Sequence, residues 1–244
     1  MTAPLQAELL KLRTTRTFVA LVSAAVALSL LVVILTTLLT DDLTEEDMRG
    51  LFSADFSSLF ILLLGVMGMA GEWRHRTITS TVLAAPRRMA LMAAKTLSYA
   101  VAGAVLSLIV TLTIMAVGTI IQSASGDTTI GVVDLADVLW RNLAVAALLG
   151  AFGVCVGGVV RNQVAAMIGL LVVAFVLEPT LIGLAPDVGQ YGPTSGAPNG
   201  ILDVETFDGE DDLLPSGIAL LVMIGWGGAA FAAAAALLER RDLV

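Results

Sequence analysis

Six long and continuously apolar runs fix what this chain can fold into. They extend from Phe18 to Leu39, about Phe56 to Ala70, Leu97 to Ile121, about Val138 to Val160, Val164 to Leu184 and Gly217 to Leu238. A helix needs about 20 mostly apolar residues to cross a hydrocarbon core about 30 Å thick, and it satisfies its backbone hydrogen bonds internally on the way. None of the runs alternates as a barrel strand would, so an all-α integral membrane protein with six transmembrane helices in one domain is expected. Only 14% of the residues are charged, against about 25% in a typical soluble domain. The first run is too long for the core of a cleaved signal peptide and lacks a small-residue cleavage site, so it is read as a retained helix.

Assigning the connecting segments alternately to two sides separates the charges. Lys11, Arg13, Arg16, Arg74, Arg76, Arg87, Arg88, Lys95, Arg161, Arg240 and Arg241 fall on one side, and only Arg49 and Arg141 on the other. Basic residues near helix ends resist translocation, so the rich side is cytoplasmic and both termini lie inside the cell membrane. Among the acids only Glu8, Glu72, Glu239 and Asp242 lie inside, which makes the outer side strongly acidic. The outer connectors are Asp41 to Gly50, Gln122 to Asp137, and a long Gly- and Pro-rich segment over 185–216 with an acidic string from Asp208 to Asp212.

Two inner segments carry more than topology. Over residues 1–16, Leu5, Leu9 and Leu12 recur at helical spacing while Gln6, Glu8, Lys11 and Arg13 face elsewhere, the pattern of an amphipathic interfacial helix at the lipid surface. Over residues 72–95, Ile78, Val82 and Ala85 share a helical face, and Pro86 breaks that helix and opens the next. Such a segment can lie across the membrane surface and dock against a soluble partner.

At these residues the sequence resembles the permease subunits of ABC transporters of the type-2 exporter family, particularly actinobacterial ones. The similarity rests on Glu8 to Arg13 before the first helix, on Glu72 to Arg88 with its basic residues, Thr-Ile-Thr and Leu-Ala-x-Pro-Arg-Arg, and on the closing Arg240, Arg241 and Asp242. The resemblance implies a six-helix half-transporter that dimerises with a second copy or a homologous permease and rests on two ABC ATPase subunits. It makes the segment after the second helix a coupling helix, with Glu72, Arg74, Arg76 and Thr77 as candidate coupling residues. It also allows part of residues 185–216 to fold back as a re-entrant outer segment. Membrane lipid is the remaining partner, and no nucleic acid is expected.

The chain carries no chemistry of its own. Lys95-Thr96 is the one approach to a phosphate-binding loop, yet Met89 and Ala94 occupy both required glycine positions, so ATP and Mg belong to the partner ATPase and this chain needs no cofactor. His75 is the only histidine and Cys155 the only cysteine, which excludes an intrachain disulfide and a Cys/His zinc site within one chain. Glu178, followed by Pro179, is the one acid within an apolar run, in the outer third of the fifth helix. It is either a group in the translocation path or an interfacial carboxylate reaching outer water. Gly153 and Gly157 permit close helix approach, within the chain or between copies.

The leading reading is therefore an ABC exporter permease that couples hydrolysis by a separate ATPase to efflux. A secondary transporter would show internal repeats and polar groups at mid-membrane, and the third alternative is a noncatalytic membrane scaffold or sensor.

Overall fold

The computed structural model describes residues 6–8, 10–12, 15–40, 43–53, 55–75, 77, 88–125, 130–204 and 214–240. Its helices are α1 (Arg16–Leu39), α2 (Glu45–Ser53), α3 (Ser57–Arg74), α4 (Arg88–Ser125), α5 (Val132–Val160) and α6 (Gln163–Val172). A π-helical turn (Val173–Leu177) carries α6 into α7 (Glu178–Leu184); α8 (Pro186–Gly189), α9 (Gly196–Leu202) and α10 (Ser216–Arg240) follow. Taking α2 with α3 and α6 with α7, six spans among the described residues are long and apolar enough to cross a membrane, and no strand occurs there. The protein is an all-α, multi-pass membrane protein.

Helix α5 is the centre of the bundle because small residues let its neighbours approach. A Cβ on Gly153 would collide with the Leu62 carbonyl of α3, and one on Gly157 would come within 2.8 Å of the Val66 carbonyl. The Gly153/Gly157 pair thus serves packing within the chain. On the other side of α5, a Cβ on Gly103 of α4 would collide with the Ala146 carbonyl. Around this core, α1, α6 with its π-helical turn, and α10 are peripheral and expose Leu31, Leu35, Ile168, Phe175 and Leu221, side chains suited to lipid or another apolar helix.

Several boundaries differ from the sequence reading, each for a local reason. Asp41 to Gly50 is expected as a connector, yet α2 begins within it. Thr44 N donates to Asp47 Oδ2 at 3.0 Å and Asp47 N donates to Thr44 Oγ1 at 3.1 Å, closing a capping box ahead of the buried pair Met48 and Phe52. The break before α3 is fixed by polar groups: Asp55 accepts from Ser57 N and Oγ and from Thr111 Oγ1 of α4, while Asn142 of α5 donates to the Phe52 carbonyl. Helix α4 carries the apolar run from Leu97 to Ile121 within the longer helix that the sequence has opening at Pro86, and its 38 described residues extend roughly 57 Å, well beyond a hydrocarbon core. Arg161, with φ of 57°, and Asn162, whose side chain accepts from Val164 N and Ala165 N, make the tight turn between α5 and α6.

Leu5, Leu9, Arg13, Arg76, the expected coupling helix from Ile78 to Ala85 with Pro86, the string Asp208 to Asp212, Arg241 and Asp242 lie outside the described residues.

Candidate functional site

Charged side chains from three parts of the chain meet at the end of the bundle that holds the N-terminal segment. Glu72 stands in the last turn of α3, Lys95 two turns into α4, and Glu8 and Lys11 on the short helical segment before α1. Lys95 Nζ donates to Glu72 Oε1 at 2.7 Å and to Glu8 Oε2 at 2.9 Å, and Lys11 Nζ donates to Glu8 Oε1 at 2.7 Å. Lys11 also reaches Glu72 Oε1 at 3.4 Å. Two carboxylates and two ammonium groups thus balance in a closed network, the arrangement that makes buried charge tolerable.

Burial makes the pairing consequential. The Lys95 side chain is 1% exposed and that of Glu8 5%, whereas that of Lys11 is 54% exposed. Burial pushes the Glu8 carboxyl up, but Lys95 and Lys11 outweigh it and hold the group below its ordinary value. For Lys11, burial acts to lower the pKa, and the hydrogen bond and charge of Glu8, with Glu72 behind them, raise it on balance.

Two expectations are corrected here. Glu8 is expected on the polar face of the N-terminal helix; it is buried together with Leu12, one turn on, because Lys95 awaits it below. Lys95 is expected at the end of the inner loop as a topology signal; it lies inside α4 on a buried stripe with Leu91, Met92, Tyr99 and Ala102. The three-to-four-residue recurrence of that stripe is legible in the sequence and is the signal that could have marked Lys95 as an inward-facing charge.

Of the candidate coupling residues, Glu72, Arg74 and Thr77 come together at the end of α3, and Arg76 is outside the described residues. Thr77 N donates to the Glu72 carbonyl at 2.9 Å, so the chain turns back on the network as it leaves the helix. Arg74 makes a long contact, 3.5 Å, to Gln163 Oε1 at the start of α6. Next to it the Arg161 guanidinium stacks 4.0 Å over the Trp73 ring. Arg88 donates to the Leu238 carbonyl at 2.8 Å, which caps the inner end of α10. A cleft of about 610 Å³ opens beside the network, with Lys11, Glu72, His75 and Tyr99 among its lining.

At the opposite end Glu178 is buried and fully occupied. Its carboxylate accepts from Thr194 N at 2.9 Å, Thr194 Oγ1 at 2.7 Å, Ser195 N at 2.5 Å and Gly196 N at 3.2 Å. The adjoining π-helical turn has a covalent cause. Glu178 N bonds to the Val173 carbonyl, and the amide that would next serve Ala174 belongs to Pro179, which has no N–H. Ser195 Oγ donates to the Ala174 carbonyl instead, at 3.1 Å. Residues 194–196 are thereby clasped to the fifth span at two successive levels.

Arg49 and Arg141, the two basic residues on the acidic side, are also paired. Both bind Asp137, with Arg141 Nε donating at 2.8 Å, and Arg141 donates to the Ile201 carbonyl of α9 at 2.8 Å. The arginines therefore fasten α2 and α9 to α5.

The profile of a family described as "ABC-2 family transporter protein" matches residues 4–178. No curated protein matches the chain.

Proposed function

Because the chain belongs to the ABC-2 family of transporter proteins, and so is a membrane permease component of an ABC transporter, we propose that it is half of an ATP-driven exporter whose hydrolysis takes place on separate ATPase subunits. Two permeases, this chain and a second copy or a homologue, rest on two ATPases that carry ATP and Mg. The basic end faces the cytoplasm of a cell bounded by the plasma membrane, with both termini inside. The segment beginning at Glu72 takes up the movement of the ATPases.

One observation carries this reading. Glu72, at the root of the proposed coupling segment, shares the ammonium of Lys95 with Glu8. A displacement of the segment that moves α3 therefore pulls on α4 and on the N-terminal helix together. Interiors and ion-pair networks of this kind behave as rigid connectors between discrete arrangements. Arg74, Arg76 and Thr77 are the residues proposed to meet the ATPase, and Glu178 anchors the segment over 186–202 that closes the outer end of the translocation path.

Co-purification with an ABC ATPase from the same cells, followed by turnover in vesicles, tests the proposal. Hydrolysis stimulated by the permease is expected, and Arg74→Glu with Arg76→Glu is expected to remove the stimulation while leaving the fold intact. An ATPase whose turnover ignores this chain would sink the reading, as would labelling of a cysteine introduced at Thr77 from outside the cell.

A further inference from the structure

The break between α2 and α3 gathers more polar groups than a turn requires. Asp55 secures the start of α3 through one oxygen only: Oδ1 accepts from Ser57 N at 3.1 Å and from Ser57 Oγ at 2.6 Å. Its Oδ2 reaches across to α4, where Thr111 Oγ1 donates at 2.6 Å and Ser107 Oγ, one turn earlier, lies 3.5 Å away. Thr111 Oγ1 in turn accepts from Asn142 Nδ2 of α5 at 3.2 Å. Ser107 and Thr111 are buried and Asn142 nearly so. Asn142 stands four residues into the apolar run that begins at Val138, and Thr111 ten residues from the end of its own at Ile121. The cluster therefore lies roughly 6–15 Å inside the bundle, at the end away from Lys95.

Two observations point to a cation there. Asp55 is met only by neutral donors and pairs with no basic side chain among the described residues, and a carboxylate within an apolar bundle is costly unless a positive charge balances it. Independently, Asn142 Oδ1 and Ser53 Oγ, on side chains that are each 2% exposed, have no partner among the described residues. The amide cannot turn to relieve its oxygen, because Nδ2 donates to the Phe52 carbonyl at 2.8 Å. A proton on Asp55 neutralises the carboxylate and leaves Asn142 Oδ1 and Ser53 Oγ as they are; a metal ion serves all three. The donors are all oxygens, which suits a hard ion, and their one negative charge matches a monovalent one. Helix α2 ends at Ser53, so its negative pole adds to the attraction, and interrupted membrane helices hold coupling ions in this way. Asp55 keeps partial exposure, which leaves the site a route of entry. We infer that Asp55, Thr111, Asn142 and Ser53, with Ser107 beside them, bind one alkali cation at the junction of α2, α3, α4 and α5. The ion joins the α2–α3 break to the two central helices.

Thermal unfolding of the purified full chain in detergent tests this without any ATPase. NaCl and KCl are compared with N-methyl-D-glucamine chloride at equal ionic strength and fixed neutral pH. A saturable rise of about 5 °C at about 100 mM of either alkali ion is expected, the shift for an ion about a hundredfold above its dissociation constant. Asp55→Asn keeps an acceptor for Ser57 N but carries no charge, and is expected to abolish the rise. Thr111→Val removes one hydroxyl and is expected to move the half-saturating concentration up about tenfold. Ser98→Ala on the same helix, whose hydroxyl serves the Ala94 carbonyl, is expected to leave the response unchanged. Equal unfolding temperatures in the three salts would overturn the inference. So would a response to pH with none to the alkali ions, which means a proton only, or an alkali response retained undiminished in Thr111→Val. The wild-type comparison decides even where Asp55→Asn fails to fold. Because every reading is taken on the permease alone, these outcomes stay distinct from a failure of ATPase stimulation, which would count against the proposed function only.

Discussion

Two buried carboxylate sites, at opposite ends of the same bundle, are satisfied in opposite ways. Glu8 and Glu72 are neutralised by side-chain ammonium groups that reach across from another helix, with Lys95 separated from Glu8 by 87 residues. Glu178 pairs with no cation among the described residues and is satisfied by the amides and one hydroxyl of a segment only 16–18 residues further on. Ammonium pairing joins whole helices to one another through flexible stems, whereas an amide cradle fixes one loop in one geometry. The end that holds Lys95 is thus tied across three parts of the chain, and the end that holds Glu178 is fastened locally.

That contrast sets the order of expected effects. Lys95→Met leaves the buried Glu8 and the partly buried Glu72 with only the exposed Lys11 as partner and is expected to cost about 3 kcal/mol, the lower end of the scale for breaking a buried ion pair. Thermal unfolding in detergent reads it. Replacing Lys95 by Met and Glu72 by Gln together is expected to recover part of the loss, since one uncompensated charge disappears with its partner. If the double variant is as unstable as the two single losses added together, the network is not a unit.

Glu178→Gln comes next. A glutamine carries one acceptor oxygen and turns an NH2 toward backbone amides, so part of the clasp is lost, at about 1–3 kcal/mol for the donors left unsatisfied. The effect is expected to stay local: hydrogen exchange at Thr194, Ser195 and Gly196 speeds up while protection in α3 and α4 holds. Global loss of protection would remove the distinction between fastening and connector. Ser195→Ala, which strips only the hydroxyl from the Ala174 carbonyl, is expected to accelerate exchange less.

What the sequence made legible follows the same division. The six spans, their order and the segregation of arginines are properties of long windows and can be read without tertiary structure. The close packing of α3 on α5 through Gly153 and Gly157 was visible as spacing, although only the structure settles that the partner helix is in the same chain. Glu72 was legible because it begins a recognisable segment. Glu8 and Lys95 were not, since charge near a helix end reads as topology unless its helical face is followed through Leu12 or through Leu91, Met92 and Tyr99. Glu178 stood out within its apolar run, but its partners could not, because the cradle at 194–196 lies in a connecting segment with no periodic pattern and is brought to the carboxylate only by the fold.

The smallest effects separate the exposed rim of the inner network from its buried centre. Lys11 is more than half exposed, so solvent screens its pairs, and Lys11→Ala is expected to cost below about 1 kcal/mol. Acid attacks the network through Glu8 instead. Its carboxyl titrates lower when docked than when free, so docking of the N-terminal helix is favoured above the ordinary carboxylate value of 4.5 and weakens as pH falls through the lowered value. Lys11 works in the other direction: its pKa is raised, so its share of the docking is intact below 10.5 and fades only as pH climbs beyond that. A cysteine placed at buried Leu12 in a Cys155→Ser background is therefore expected to stay protected from thiol reagents at neutral pH. Brief acid exposure followed by return to neutral should leave protection restored, whereas in Lys95→Met the same cysteine should react already at neutral pH. Were protection in that variant unchanged, the N-terminal helix would be held by its apolar contacts alone and Glu8 would have no part in fixing it.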